Sequence, residues 1–301
     1  MLLNTFHWFN VFVLVSSFSM FAHCGITSVV IFGDSCYEWE RKVTHSSSFE
    51  YPSTALGEQS SLKPQCANKT FTVNGVSFVM VKVDGGTFMM GATSEQGNIA
   101  ISGAKPTHQV TLSSFYIGQT EVTQELWKAV MGKNPSHCSG YNYGNTLQRP
   151  VEKVSYDDCQ VFLRKLNALT GEHFNLPTEA QWEYAARGGN KSKGYKFAGS
   201  NNVDDVAWDD NNSRNATHDV AIKHPNELGL YDMTGNVYEW CQDWYGDYSS
   251  SSQINPMGPV SGSLRVCRGG CWWCAGFCHL SYRNAHKPDY RSFYIGLRLA
   301  L

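Results

Sequence analysis

The sequence has no lysine or arginine before Arg41, and its 24 lysines and arginines are scattered rather than clustered. It therefore lacks the basic stripe by which proteins recognise the phosphates of nucleic acids, and we exclude that class of partner. It also lacks a comfortable membrane span near its start, because the apolar run at residues 9–15 is too short to cross a bilayer.

The short apolar run does fit a secretory signal, since the polar sequence Ser16-Ser17-Phe18-Ser19 follows it. We therefore predict a signal sequence at residues 1–24 and a secreted, cell-surface or periplasmic protein. The missing basic residue near Met1 argues against this interpretation. A lipid anchor at Cys24 is the alternative, although Ala22-His23 is a poor match to a lipoprotein cleavage site.

Ten cysteines is a high number, and four of them crowd into one short segment: Cys267, Cys271, Cys274 and Cys278. Thiolates are good zinc ligands, but the two CxxC pairs of a zinc ribbon are absent. The single CxxC, Cys271-Trp272-Trp273-Cys274, is not surrounded by the βαβ pattern of a redox site. Structural zinc and thioredoxin-like chemistry are both disfavoured.

The composition is that of a globular protein with a packed core, since 42% of residues are hydrophobic and 13% are aromatic. The 27 glycines predict many turns and a loop-rich architecture. The segment before residue 71 is rich in serine and lacks periodicity, so we assign residues 25–70 to a linker or a poorly ordered arm. Residues 71–301 form the folded domain.

Short strands dominate the start of this domain, with a hairpin predicted around Asn74-Gly75. Further strands are expected at residues 79–83, 87–91, 108–112 and 115–117. Three helices are predicted to begin at Thr120 or Thr123, at Ser155 and at Thr178. Beyond residue 189 we expect long loops and only short strands such as residues 297–299. Helices early and irregular β-structure late predict the α+β class.

Several motifs in this domain resemble those of the sulfatase-modifying-factor family, which includes formylglycine-generating enzyme. They are VDGGTFMMG at 83–91, LPTEAQWEYAARGG at 176–189, LGLYDMTGNVYEW at 228–240 and RVCRGG at 265–270. Together they cover residues 71–301 in the family's order. The resemblance implies a C-type-lectin-like fold of the formylglycine-generating-enzyme type, with few helices, short strands and long loops.

The resemblance also implies a catalytic alternative, since formylglycine-generating enzyme oxidises a sulfatase cysteine with two cysteines that bind copper(I). Soft thiolates suit that ion. The enzyme's pattern resembles Gly-Gly-Ser-Tyr-x-Cys-x4-Cys, whereas Cys274 and Cys278 are separated by three residues and Cys271 stands at the serine position. A one-residue change in an extended segment reverses a side chain, so copper oxidase chemistry is the disfavoured alternative. Cys278 is otherwise a buried thiol, and Cys271 and Cys274 form a disulfide or are free surface thiols.

We favour a non-catalytic binding protein. The family includes variable proteins of diversity-generating retroelements, whose last few dozen residues carry a diversified ligand-binding face. In the C-terminal segment, residues that are unusual for the family stand between residues that match it. Many of the unusual residues are apolar or aromatic, and exposing them to solvent would be unfavourable unless they bind a ligand. The alternative is that these residues pack in the core and bind no ligand. The expected ligand is a protein or a cell-surface molecule, and the predicted contact residues are Cys271, Trp273, Phe277, His279 and His286.

The resemblance further implies a structural Ca²⁺ in the segment 232–239. Asp232 and Glu239 would supply carboxylate oxygens, while Gly235 and Val237 would supply backbone carbonyls. Ca²⁺ takes hard oxygen ligands from irregular loops of this kind. A solvated loop with a cap-like aspartate is the alternative.

Overall fold

The computed structural model describes residues 67–99, 102–274 and 276–301. The predicted signal sequence, Cys24 and the predicted linker up to residue 66 lie outside the described residues. The described strands are β1 (Lys69–Val73), β2 (Val76–Val83), β3 (Gly86–Met90), β4 (His108–Leu112), β5 (Phe115–Gly118), β6 (Tyr238–Trp244), β7 (Gln253–Ile254), β8 (Arg265–Arg268), β9 (Asn284–His286) and β10 (Ile295–Gly296). The helices are α1 (Gln124–Met131), α2 (Tyr156–Thr170), α3 (Glu179–Ala186) and α4 (Val203–Val206). The α+β prediction is confirmed, and no helix within these ranges is long and apolar enough to cross a membrane.

The N-terminal hairpin forms as predicted. Strands β1 and β2 are antiparallel, with Val73 opposite Val76 across the turn. Asn74 and Gly75 both adopt positive φ values, 49° and 83°, which a tight two-residue turn requires. Strand β5 completes a sheet in the order β1-β2-β5, and a second sheet has the order β3-β4-β7.

The three main helices begin where their capping residues predict. The Thr123 side chain accepts a hydrogen bond from the Leu126 N–H at the start of α1. Ser155 and Thr178 both form capping boxes, with Asp158 and Gln181 respectively, which satisfy N–H groups in both directions. The apolar faces of α1 and α2 then meet, where Trp127 stacks on Phe162 with 4.9 Å between ring centroids.

The C-terminal sheet was only partly predicted. Its order is β10-β6-β8-β9, with the seven-residue strand β6 in the interior. The prediction of short strands is confirmed, but the sequence did not reveal β6, which is largely buried on both faces and so shows no alternating pattern. Residues 297–299 are not a strand, and the pairing with β6 lies at Ile295–Gly296.

Buried arginines hold the C-terminal segment against α3. Arg268 is fully buried and donates to the Glu183 Oε2 at 2.5 Å. The same guanidinium donates to the backbone carbonyls of Leu280 and Tyr282, both at 2.7 Å. Because these bonds fix the main chain directly, the loops that follow β8 are presented on a rigid support.

Candidate ligand-binding surface

The loop after β8 is closed by a disulfide between Cys271 and Cys274, whose Cα atoms are 5.1 Å apart. Gly270, with φ +79°, leads into it, and a Cβ there would lie 2.6 Å from the Cys278 sulfur. Two bonds to the Trp272 backbone anchor the loop: its N–H donates to the Asn236 carbonyl at 2.9 Å and its carbonyl accepts from the Ser213 hydroxyl at 2.8 Å. The loop buries Trp272 and leaves Trp273 61% exposed.

Cys274 and Cys278, the two cysteines of the oxidase alternative, are in different chemical states. Cys274 is bonded to Cys271, whereas Cys278 is a free, buried thiol that donates to the Cys274 carbonyl at 3.3 Å. Burial raises the pKa of the Cys278 thiol to about 12, so it is protonated at neutral pH. The arrangement presents no pair of thiolates to a copper ion.

Exposed aromatic rings cluster around the disulfide loop. Trp273 lies 6.2 Å from Phe293 between centroids, Phe293 lies 5.5 Å from Tyr294, and Phe277 lies 5.0 Å from Tyr282. The buried ring of Tyr238 joins these groups, because it contacts both Tyr294 and Tyr282. We call the following set the aromatic surface: His137, Tyr143, Trp273, Phe277, Tyr282, His286, Tyr290, Phe293 and Tyr294.

Three of the five predicted contact residues belong to this surface, and two do not. Trp273 is 61% and Phe277 46% exposed, and His286 is half-buried and stacks on Tyr290 at 4.4 Å. Cys271 is fully buried in its disulfide and His279 is only 5% exposed. The expectation that these two are exposed is therefore wrong.

Burial explains the position of His279. Its ring stacks on Phe197 with centroids 5.5 Å apart. Burial, with a smaller contribution from Lys196, lowers the pKa of the imidazole, which favours the neutral ring inside the fold. The sequence could not show this, because the packing partner lies about 80 positions away.

A second segment contributes rings that the sequence analysis missed. His137 lies 5.8 Å from Phe293 and 6.0 Å from Tyr143. Nearby, Tyr141 stands 93% exposed at the tip of a turn that Gly140 and Gly144 bound. Two tyrosines between flanking glycines are the signal that could have identified this loop as a contact segment.

The proposed calcium loop is tested by the partners of Glu239. Both of its oxygens accept hydrogen bonds from Arg298, at 2.7–3.0 Å, and Oε2 also accepts from Trp182 Nε1 at 2.6 Å. The two ionic side chains are fully buried, and the Arg298 guanidinium also donates to the carbonyls of Gly118 and Tyr231. The Arg298 guanidinium supplies one positive charge here, and the carboxyls of Glu121 and Asp232 lie within its electrostatic reach together with Glu239.

The Asp232 carboxyl and two backbone N–H groups of that segment also form hydrogen bonds within the protein. Asp232 accepts from the Ala221 N–H at 2.8 Å, and burial raises its pKa to about 6. The Gly235 N–H donates to the Gly269 carbonyl, and the Val237 N–H donates to Glu121. In the described part of the chain, no group of three or more histidine, cysteine or acidic side chains is arranged to hold a metal ion. Calcium at Asp232, Gly235, Val237 and Glu239 stays a prediction.

Comparison with known proteins gives consistent similarities. Residues 68–301 match the model of the sulfatase-modifying factor enzyme 1-like domain. The chain is 34% identical to the chaperone protein LppX of Paenibacillus barcinonensis over 65% of this chain and 79% of that protein. It is 28% identical to the formylglycine-generating enzyme of Streptomyces coelicolor, over 73% and 88% respectively. The solved structure of Treponema denticola variable protein 1 matches with a TM-score of 0.71 and 36% identity, over 78% of this chain and 99% of that one.

Proposed function

The chain belongs to the sulfatase-modifying-factor family, and from that premise we propose that it is a non-catalytic member that binds a ligand through the aromatic surface. Its fold is the C-type-lectin-like fold of the formylglycine-generating-enzyme type. The ligand is a protein or another cell-surface molecule, and the protein acts outside the cytoplasm.

The observation that carries this proposal is the exposure of large rings on a rigid support. Trp273, Phe277, Tyr290 and Phe293 are between 37% and 61% exposed, although each contacts another ring. Tryptophan, tyrosine and phenylalanine supply large contact areas at low conformational-entropy cost. The disulfide and the Arg268 bonds restrict the loops that carry them, so little further ordering is needed on binding.

The similarity to Treponema denticola variable protein 1 supports a diversified surface. Variation at the exposed ring positions can change which ligand is bound without disturbing the fold, because the residues that support the loop, Arg268, Cys271 and Trp272, are buried. We propose that the exposed positions of residues 273–293 are the diversified ones. Neighbouring DNA with a reverse transcriptase and a near-copy of the 3′ coding end, differing mainly at adenines, is the expected genetic context.

The binding test replaces Trp273 and Phe277 together with alanine, and compares binding to cells or extracts that retain the parent protein. Since both side chains are exposed, circular dichroism and melting temperature should stay unchanged while binding is lost. The matched control is Ile222→Ala, which removes a side chain that is 63% exposed outside the aromatic surface. A double variant that unfolds shows core packing, and one that binds normally places the site elsewhere.

The oxidase alternative is tested with a sulfatase-derived cysteine peptide, copper and oxygen. We expect no formylglycine, because Cys274 is bonded to Cys271 and Cys278 is a protonated, buried thiol. The Cys271→Ser variant is the sharper control, since it frees Cys274 and restores the enzyme's Gly-Gly-Ser sequence. Copper-dependent turnover in the parent protein that both Cys274→Ser and Cys278→Ser abolish would overturn the non-catalytic proposal. Turnover confined to the Cys271→Ser variant would show that the disulfide is what prevents catalysis.

A further inference from the structure

A cavity lies apart from the aromatic surface and shares no lining residue with it. Its volume is about 490 Å³, within the range of small-molecule sites. Its apolar wall includes Met90, Ile254 and Met257, and its polar wall includes Glu179, Asp243 and Arg283. The three ionisable residues are between 3% and 8% exposed.

The arginine of this cavity is already paired. Arg283 donates to both oxygens of Glu179, at 2.6 and 2.8 Å, and to the carbonyls of Gly103 and Gly246. Tyr248 donates a further hydrogen bond to Glu179 at 3.1 Å. A bidentate pair of this kind neutralises both members, so Arg283 has little charge to offer a third group.

Asp243 is the buried acid of this cavity that is not paired in the same way. It accepts from the Glu179 N–H at 2.8 Å, and among the described residues no lysine, arginine or histidine forms an ion pair with it. The nearby Arg265 lies on the rings of Trp244 and Tyr156 and donates to a backbone carbonyl. Burial, followed by repulsion from Glu179, raises the pKa of Asp243 to about 7.

We propose that this cavity binds a small organic amine, whose ammonium group pairs with Asp243 while its apolar body packs against Met90, Ile254 and Met257. The cavity lining carries three carboxyl groups, those of Glu179, Asp243 and Asp247, and one arginine, Arg283. An ammonium ion therefore supplies positive charge together with a hydrogen-bond donor. An anionic ligand would meet Asp243, whose charge no ion pair among the described residues offsets, and an arginine that is already paired with Glu179. The apolar residues of the same lining select an amine with a hydrocarbon body over ammonium itself.

The test uses phenethylamine as the probe and phenethyl alcohol as its uncharged match, with calorimetry on the full chain. We expect the amine to bind at least about tenfold more tightly, since a charge-assisted hydrogen bond is stronger than a neutral one. Asp243→Asn keeps an acceptor for the Glu179 N–H and should abolish the preference. Equal binding of the two probes, or no binding of the amine, would overturn the proposal.

Asp243→Asn could also disturb the start of α3, because Asp243 accepts from the Glu179 N–H. A second variant therefore tests the cavity at a position away from α3. Met257→Trp places a larger side chain at a position that is 65% exposed, so folding should be unaffected while the cavity narrows. Binding of the amine should weaken at least about fivefold, by steric exclusion. Unchanged affinity in this variant would contradict the assignment of the cavity.

The pH dependence of amine affinity shows whether Asp243 acts as an ionised partner or only supports the structure. Between pH 5.5 and 8 the amine stays protonated while Asp243 ionises, so affinity should rise by roughly tenfold to thirtyfold. The titratable or charged groups facing or near Asp243 are Glu179, Arg283, His108, Tyr248, Asp247, Arg265, Tyr156 and Cys241. Asp243→Asn isolates its contribution from theirs, and an identical pH profile in that variant would refute the pairing.

Discussion

Replacing Glu152 with glutamine should stabilise the protein at alkaline pH. Glu152 is fully buried, and its Oε1 accepts from the Cys138 N–H at 2.7 Å. Its Oε2 is buried and has no hydrogen-bond partner among the described residues. Burial raises the pKa of this carboxyl from 4.5 to about 7, against weaker opposing contributions from backbone N–H groups and Lys153. The ionised form is therefore poorly accommodated.

The size of the effect follows from that pKa. One pKa unit corresponds to about 1.36 kcal/mol, so ionisation of Glu152 costs the folded state about 3 kcal/mol above pH 7. Because its folded-state pKa is raised, this carboxyl stabilises the fold fully below pH 4.5 and loses that contribution as pH rises through 7. Glutamine resembles the protonated acid, since both can accept from Cys138 and both place a donor at the other position.

Urea unfolding at pH 5 and pH 8 measures this difference. We expect Glu152→Gln to raise the free energy of unfolding by about 2–3 kcal/mol at pH 8 and by less than about 1 kcal/mol at pH 5. Asp210→Asn, at an exposed position, is the matched control and should stay within about 0.5 kcal/mol of the parent at both. A gain at pH 8 no larger than the gain at pH 5 would refute the reasoning.

Two further predictions concern the buried Glu239–Arg298 ion pair and the disulfide loop. Glu239→Ala should lower the free energy of unfolding by about 3–5 kcal/mol equally with EDTA and with Ca²⁺, because it leaves Arg298 buried without its partner. A loss of stability confined to Ca²⁺ buffer would instead support calcium binding. Reduction of the disulfide should quicken amide hydrogen exchange at residues 271–274 without changing exchange in α2, as measured by mass spectrometry. Unchanged exchange in the loop would show that its hydrogen bonds to Asn236 and Ser213 are enough to hold it without the disulfide.

The sequence predicted the elements whose signals are local. Thr123, Ser155 and Thr178 each cap the helix that follows, and Asn74-Gly75 forms the expected turn. These features depend on neighbours within a few positions, so no knowledge of the fold is needed to find them.

Features set by distant contacts were not predictable in the same way. Strand β6 lacks an alternating pattern because both faces are buried. The position of His279 depends on Phe197, and the state of Glu239 depends on Arg298, which lies 59 positions away. For the candidate site, the sequence therefore could not separate Trp273, Phe277 and His286, which belong to the aromatic surface, from the buried Cys271 and His279.

Photo-crosslinking from position 277 tests the central claim most directly. A benzoylphenylalanine there keeps the aromatic character of Phe277, which is 46% exposed within the aromatic surface. The same residue placed at Ile222, which is 63% exposed outside that surface, is the control. Irradiation with cells or extracts that retain the parent protein should yield a covalent adduct from position 277 and none from position 222. Adducts from 222 alone, or equally from both, would contradict ligand binding at the aromatic surface.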